Sequence, residues 1–195
     1  VMSVIGQVKS NSQKLSEIKS RLEEFKILSE EQKFKEFMFC LLTPQSSAQR
    51  CWQAVEEISK LNELTLENVT KILSKKHVST TQKQKEFLTQ KKLGKNKTEL
   101  SNTHILELRN LLAKEVNGYG LKEASHFLRN IGKSNNKIAI LDRHILRNLK
   151  EDKIKNHKHY LEVEQKFLDY ASSESIPPDE LDLLWWSKEN GEIFK

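Results

Sequence analysis

Cysteine is scarce in this chain of 195 residues, which contains only Cys40 and Cys51. The two lie apart inside apolar helical patterns, without a CxxC pair or any other multi-cysteine spacing. Such isolated cysteines indicate buried thiols in a reducing compartment rather than a disulfide framework. No cluster of metal-ligating side chains is evident either, so we expect no catalytic metal.

Long hydrophobic runs are also missing, since no apolar stretch approaches the roughly 18 residues that a bilayer span requires. We therefore expect a soluble intracellular protein of the cytoplasm or nucleoid, with no membrane partner. The formal net charge is +6 and the pI is near 9.2. This charge fits a polyanionic partner, but it is a weak signal because many other proteins are equally basic.

Proline occurs at only three positions, Pro44 and the pair Pro177-Pro178, where it interrupts helical patterns. Elsewhere apolar residues recur every three or four positions, and Ser29 opens a capping-box pattern. Ser46 or Ser47 is placed to cap the helix after Pro44. The pattern predicts an all-α protein of about nine or ten helices. We expect two helical lobes around a central cleft, with residues 1–195 as a single catalytic unit.

The stretch from Val116 to Ile145 organises the chain. Gly118 and Gly120 flank a tyrosine between two apolar helical patterns, which predicts a helix, a tight hairpin and a second helix over about residues 103–132. Glycines suit such a turn through positive φ and close backbone approach, and the outward N–H groups at the new helix offer a phosphate site. Lys122 falls in the first turn of that helix, whose positive end disfavours an ammonium. Asp142 precedes another helical segment and suits an N-cap.

The GYG turn, Lys122 and the segment LDRHIL around Asp142 resemble the helix-hairpin-helix superfamily of DNA base-excision glycosylases. Within it the chain most resembles the archaeal-type second family of 8-oxoguanine DNA glycosylase/AP lyases. The resemblance implies that the Lys122 amine attacks C1′ of the damaged nucleoside and that Asp142 stabilises the cationic transition state. A Schiff base would form, and β-elimination would then cut the strand 3′ to the lesion.

The resemblance also implies roles for residues outside the pair. Gly118 and Gly120 would bind the DNA backbone, Gln45 in LLTPQS would fill the space left by the extruded nucleotide, and His144 would touch a phosphate near the lesion. Trp186 would stack on the extruded purine, and Lys195 would separate 8-oxoguanine from guanine. A lone helical histidine is more often structural, so both interpretations of His144 stay open. Arg129 is interpreted as a solvated surface charge.

The implied partner is double-stranded DNA containing 8-oxoguanine, bound by a monomer. Some glycosylases of the superfamily carry a four-cysteine iron–sulfur loop, which this chain cannot form, so we expect no cofactor. Carbonyls of the hairpin would be able to hold a monovalent ion, as in relatives. Lysines between Thr80 and Leu100 are expected to include DNA contacts, although their sequence pattern does not identify which ones.

Two alternatives remain open. Helix-hairpin-helix units also occur in proteins that bind DNA phosphates without catalysis. In such a protein Lys122 would contact the DNA backbone and Asp142 would only cap a helix. The other alternative is a glycosylase for oxidised pyrimidines, against which the missing cysteines and the terminal lysine count.

Overall fold

The structure of the protein, a computed structural model, describes residues 12–89, 104–191 and 193, most of which lie in helices. No strand occurs among them, which confirms the predicted all-α class. The described part of the chain forms ten α-helices and one 3₁₀ turn, Thr43–Gln45. The helices are α1 (Ser12–Lys26), α2 (Glu30–Leu42), α3 (Ala48–Ser59), α4 (Leu66–Lys75), α5 (Gln82–Thr89), α6 (Ile105–Glu115), α7 (Leu121–Asn130), α8 (Arg143–Asn148), α9 (His157–Ser173) and α10 (Pro178–Asn190).

The chain divides into two compact units. One comprises Leu28–Phe127, and the other combines Val1–Ile27 with Leu128–Lys195. We call them the central unit and the terminal unit. The division falls within α7, which therefore contributes residues to both.

The central unit is built around α2. Its second half, from Phe37 to Leu42, is fully buried, and α3 and α5 both pack against this helix. A helix segment that is apolar all round is expected in such a position. Both cysteines lie in this core as free thiols, as predicted. Burial raises the pKa of Cys51 to about 12, so this thiol is unreactive at neutral pH.

The terminal unit is built around α10, which packs against α1, α8 and α9. Pro178 opens this helix, with Asp179 and Glu180 in its first turn. Trp185 is buried, with its ring 5.6 Å from that of Phe167. The aromatic contact fixes α10 on α9.

A buried ion pair links α7 to α10 inside the terminal unit. Arg129 Nη2 lies 3.2 Å from Asp182 Oδ2, and the guanidinium lies 5.5 Å from the ring centre of Phe25. The interpretation of Arg129 as a solvated charge is therefore wrong, since the residue is only 3% exposed. The pair leaves the arginine's Nε and Nη1 without a hydrogen-bond partner among the described residues.

Asp182 makes the stability of this unit depend on pH. Burial raises its pKa to about 7, against the attraction of Arg129 and with repulsion from Asp142 and Asp179. A carboxyl whose pKa is raised on folding contributes most to the stability of the folded state at pH values below its unfolded pKa, where it is protonated in both states. The contribution is lost as pH rises through the folded value.

We therefore expect Asp182→Asn to flatten the pH dependence of stability. Between about pH 5 and 7, the free energy of unfolding of the wild type should fall more steeply than that of the variant. The difference is at most about 1.4 kcal/mol per pH unit, the limit for one titrating group. Urea unfolding at several pH values measures it. Asp169→Asn, at an exposed position of α9, is the control. Equal slopes for Asp182→Asn and the wild type would contradict the assignment.

Candidate active site

The hairpin between α6 and α7 is anchored by Tyr119. Its hydroxyl donates to the carbonyl of Phe37 at 2.8 Å, and the two ring centres lie 5.1 Å apart. The side chain is 6% exposed, and burial raises the pKa of its hydroxyl well above the ordinary value. Tyr119 therefore fastens the turn to the central helix α2. No role for this tyrosine was predicted from the sequence, although an aromatic between two turn glycines was the available signal.

Gly118 is required at its position for two reasons. Its φ is +99°, a conformation that L side chains rarely adopt. A Cβ there would also lie 2.7 Å from Cγ of Gln84 and 3.0 Å from Cδ1 of Leu41. Gln84 cannot easily yield, because its Nε2 donates to the Leu41 carbonyl at 3.0 Å and its Oε1 accepts from Thr81 N–H at 2.8 Å.

Gly118→Ala should destabilise the central unit by about 1–3 kcal/mol from backbone strain alone, with the clash adding to this loss. Urea unfolding measures the effect. Gly191→Ala is a matched control, because Gly191 has φ +77° but nothing within 4 Å of an added Cβ. Equal losses in the two variants would mean that the contact with Gln84 and Leu41 costs nothing.

Gly120 differs from the expectation of positive φ, since its φ lies outside that region. Its Cβ would instead meet the carboxylate of Glu123 at 3.1 Å. Glu123 Oε2 accepts the Gly120 N–H at 2.9 Å, as an acidic residue near a helix start commonly does. The second glycine therefore leaves room for a carboxylate that holds the turn.

Lys122 lies in the first turn of α7, and its side chain is 29% exposed. Its Nζ lies 2.8 Å from Oε1 of Glu123, whose own side chain is 11% exposed. The lysine is thus a partly exposed amine, held by a largely buried carboxylate at the glycine turn. Glu123 is a second residue that the sequence analysis missed, because its two contacts are set by the geometry of the turn.

Asp142 caps α8, as its position in the sequence predicted. Oδ1 accepts the N–H groups of His144 at 2.8 Å and Ile145 at 2.9 Å. Both bonds end on the same oxygen, so the cap does not require Oδ2. The residue is half-buried and belongs to the terminal unit, whereas Lys122 belongs to the central unit.

The other predicted site residues are distributed over both units. Gln45 ends the 3₁₀ turn Thr43–Gln45 between α2 and α3 in the central unit. His144 lies in α8 and is 8% exposed. Trp186 is half-buried on α10, next to the fully packed Trp185. Lys195 lies outside the described residues.

The lysine-rich segment is described only in part. Lys83 is exposed and Lys85 half-buried on α5, whereas the segment's remaining lysines, Lys91, Lys92, Lys95 and Lys97, lie outside the described residues. Within 12–89, 104–191 and 193, no group of three or more His, Cys, Asp or Glu side chains is arranged to hold a metal. None of the helices in those ranges is both long enough and apolar enough to cross a membrane.

Comparison with known proteins identifies the family. A sequence profile described as 8-oxoguanine DNA glycosylase matches residues 18–176. The 8-oxoguanine DNA glycosylase/AP lyase of Fusobacterium nucleatum is 39% identical over 200 residues, covering 92% of each chain. The enzyme of the same name from Methanocaldococcus jannaschii is 33% identical over 201 residues, covering 95% of each.

Solved structures agree with the sequence comparisons. The crystal structure of the M. jannaschii 8-oxoguanine glycosylase/lyase in complex with 15mer DNA containing 8-oxoguanine has a TM-score of 0.85 at 31% identity, covering 98% of this chain and 97% of that one. The 8-oxoguanine DNA glycosylase of Thermotoga maritima has a TM-score of 0.84 at 32% identity, covering 97% and 96%. Because the profile matches most of the chain and these relatives are 39% and 33% identical over more than nine-tenths of it, this chain belongs to the 8-oxoguanine DNA glycosylase family.

Proposed function

We propose that this protein is a bifunctional 8-oxoguanine DNA glycosylase/AP lyase that acts on double-stranded DNA. The observation that carries the proposal is a partly exposed lysine amine in the first turn after the glycine hairpin, in a chain of this family. A glycosylase that used only water would have no need of an amine at this position.

Lys122 is the proposed nucleophile. Its neutral amine forms a bond to C1′ while the bond from C1′ to N9 of the base breaks, and the electron pair leaves with the base. Opening of the sugar ring at the C1′–O4′ bond, with a proton going to O4′, gives the Schiff base. The imine acidifies the C2′ proton, and loss of this proton expels the 3′ phosphate and cuts the strand.

Asp142 is the proposed stabiliser of the cationic sugar. Breaking the glycosidic bond leaves positive charge on C1′ and O4′, and a fixed carboxylate nearby lowers the free energy of that transition state. Because the helix cap uses Oδ1, Oδ2 is left to face the sugar. The cap then serves catalysis by fixing the carboxylate's orientation.

DNA binding is assigned to residues of both units. The turn of Gly118 and Gly120 presents the N–H groups at the start of α7 to a phosphate, Gln45 fills the gap in the duplex, and His144 contacts a phosphate near the lesion. Trp186 stacks on the extruded purine, a contact of about 1–3 kcal/mol per base. The enzyme works as a monomer without a cofactor or iron–sulfur cluster, and the carbonyls of the turn would be able to hold a monovalent ion.

Borohydride trapping tests this proposal. The wild-type protein is incubated with a duplex containing 8-oxoguanine in the presence of borohydride, and the covalent complex is measured by denaturing electrophoresis. The expected result is an adduct with the damaged duplex and none with an undamaged duplex of the same sequence. If neither duplex gives an adduct but both are bound, the protein is a passive helix-hairpin-helix module.

Substrate choice is tested separately. We expect faster excision of 8-oxoguanine than of thymine glycol. Deletion of Lys195 should reduce the difference between the excision rates of 8-oxoguanine and guanine. Faster release of thymine glycol would instead favour a glycosylase for oxidised pyrimidines.

A further inference from the structure

Glu123 makes two contacts at once, one with the backbone of the hairpin and one with the side chain of Lys122. Oε2 accepts the Gly120 N–H at 2.9 Å, and Oε1 lies 2.8 Å from Lys122 Nζ. With a side chain only 11% exposed, this carboxylate has little freedom to rotate. The position of one oxygen is therefore fixed by the turn, and that of the other follows from it.

Neighbouring lysine and glutamate residues do not by themselves form such an arrangement. Lys114 and Glu115 on α6 have the same spacing, but their charged atoms lie 3.7 Å apart and both side chains are more than half exposed. Contacts of this exposed kind contribute little, because solvent screens them and both side chains lose freedom in forming them. The pair at the hairpin differs through burial of the acid and its second bond.

We propose that Glu123 is a positioning residue for the nucleophilic lysine, which it holds at the mouth of the glycine turn. This inference rests on the proposed role of Lys122. A lysine side chain has four rotatable bonds, and an amine free to move over its full range would rarely approach C1′ along the correct line. Contact with a fixed carboxylate restricts the amine before the reaction, which reduces the entropy lost when Nζ and C1′ are brought together.

The same carboxylate gives the amine's proton a nearby acceptor. Before attack, the ammonium of Lys122 has to release a proton, and Oε1 of Glu123 is within hydrogen-bond distance of Nζ. The bond broken is N–H, and the proton passes to Oε1. Glu123 then releases the proton to solvent, so no additional reactant is required.

Glu123→Gln separates the two contacts. The amide has one carbonyl oxygen, which is able to accept the Gly120 N–H and hold the turn, while its NH₂ group is a donor and cannot hold an ammonium. We expect unchanged thermal stability and unchanged or tighter duplex binding, since a negative charge near the phosphates is removed. The single-turnover rate of adduct formation at saturating duplex should fall about 10- to 100-fold, as for other losses of alignment.

The matched control is Glu115→Gln, which removes the carboxylate of the exposed pair on α6; it should leave the rate unchanged and alter duplex affinity no more than Glu123→Gln does. A purely structural role for Glu123 would lower stability and weaken binding together, without a selective loss of rate. If Glu123→Gln forms the adduct at the wild-type rate while the wild type traps normally, the inference fails and the proposed function stands. If the wild type itself gives no adduct, the proposed function is what fails.

Discussion

Replacing Lys122 with glutamine should abolish both the borohydride-trapped complex and strand cleavage at 8-oxoguanine. Glutamine has a similar length but no nucleophilic amine, so no Schiff base forms and β-elimination has no imine to start from. We expect the single-turnover excision rate to fall by at least about 10³-fold, the order found when a covalent catalytic group is removed. Denaturing electrophoresis of the duplex, with and without borohydride, measures both products.

Lys114→Gln is the control for this variant. Lys114 lies on α6, at the other side of the hairpin, with its side chain 81% exposed. Its loss removes one positive charge from the same region without touching the proposed nucleophile. Duplex binding should weaken slightly and equally in both variants, while only Lys122→Gln loses the adduct. A trapped complex of normal yield from Lys122→Gln would mean that another amine forms the Schiff base.

Asp142→Asn should give the second largest effect. We expect the excision rate to fall about 10²- to 10³-fold, because the neutral amide no longer stabilises positive charge on the sugar. Stability should not fall, since asparagine caps a helix as well as aspartate. Loss of the Asp142 charge also relieves its repulsion of the buried Asp182. Single-turnover excision and urea unfolding are measured on the same preparations. The excision rate reports the effect of the Asp142 charge on catalysis, and the free energy of unfolding reports the effect of its helix cap on stability.

Two further substitutions complete this test. Asp142→Ala removes cap and charge together, so it should lose activity and also about 1 kcal/mol of stability. Asn156 caps α9 by accepting the N–H of His159 at 2.9 Å, and Asn156→Asp, the reverse exchange at another cap, should leave excision unchanged. Full activity in Asp142→Asn would reduce this aspartate to a structural cap.

The local features of the fold were predictable because the interactions that create them span only a few residues. The Ser29 capping box, the Ser47 cap and the Asp142 cap each join a side chain to a backbone N–H two or three positions ahead. A helix boundary of this kind can be recognised from a short stretch of sequence, because all the residues that form it lie within that stretch. The same holds for the glycine turn and for Lys122 in the first turn of the following helix.

Features that depend on distant parts of the chain were not predictable in this way. Periodicity gave Arg129 a place on a helix, but its burial depends on Asp182 and Phe25, which reach it only when α1, α7 and α10 have packed. Likewise, the sequence explained Gly118 by its turn, whereas the contact with Gln84 and Leu41 exists only in the folded central unit.

The sequence by itself therefore determined the helical class, the caps, the hairpin and the residues whose chemistry suits a glycosylase. Only the tertiary structure decided that Tyr119 fastens the hairpin to α2 and that Arg129 and Glu123 are buried. The physical reason is that helix propensity and capping act between neighbours in sequence, whereas burial and side-chain contact depend on which surfaces meet after the helices have packed.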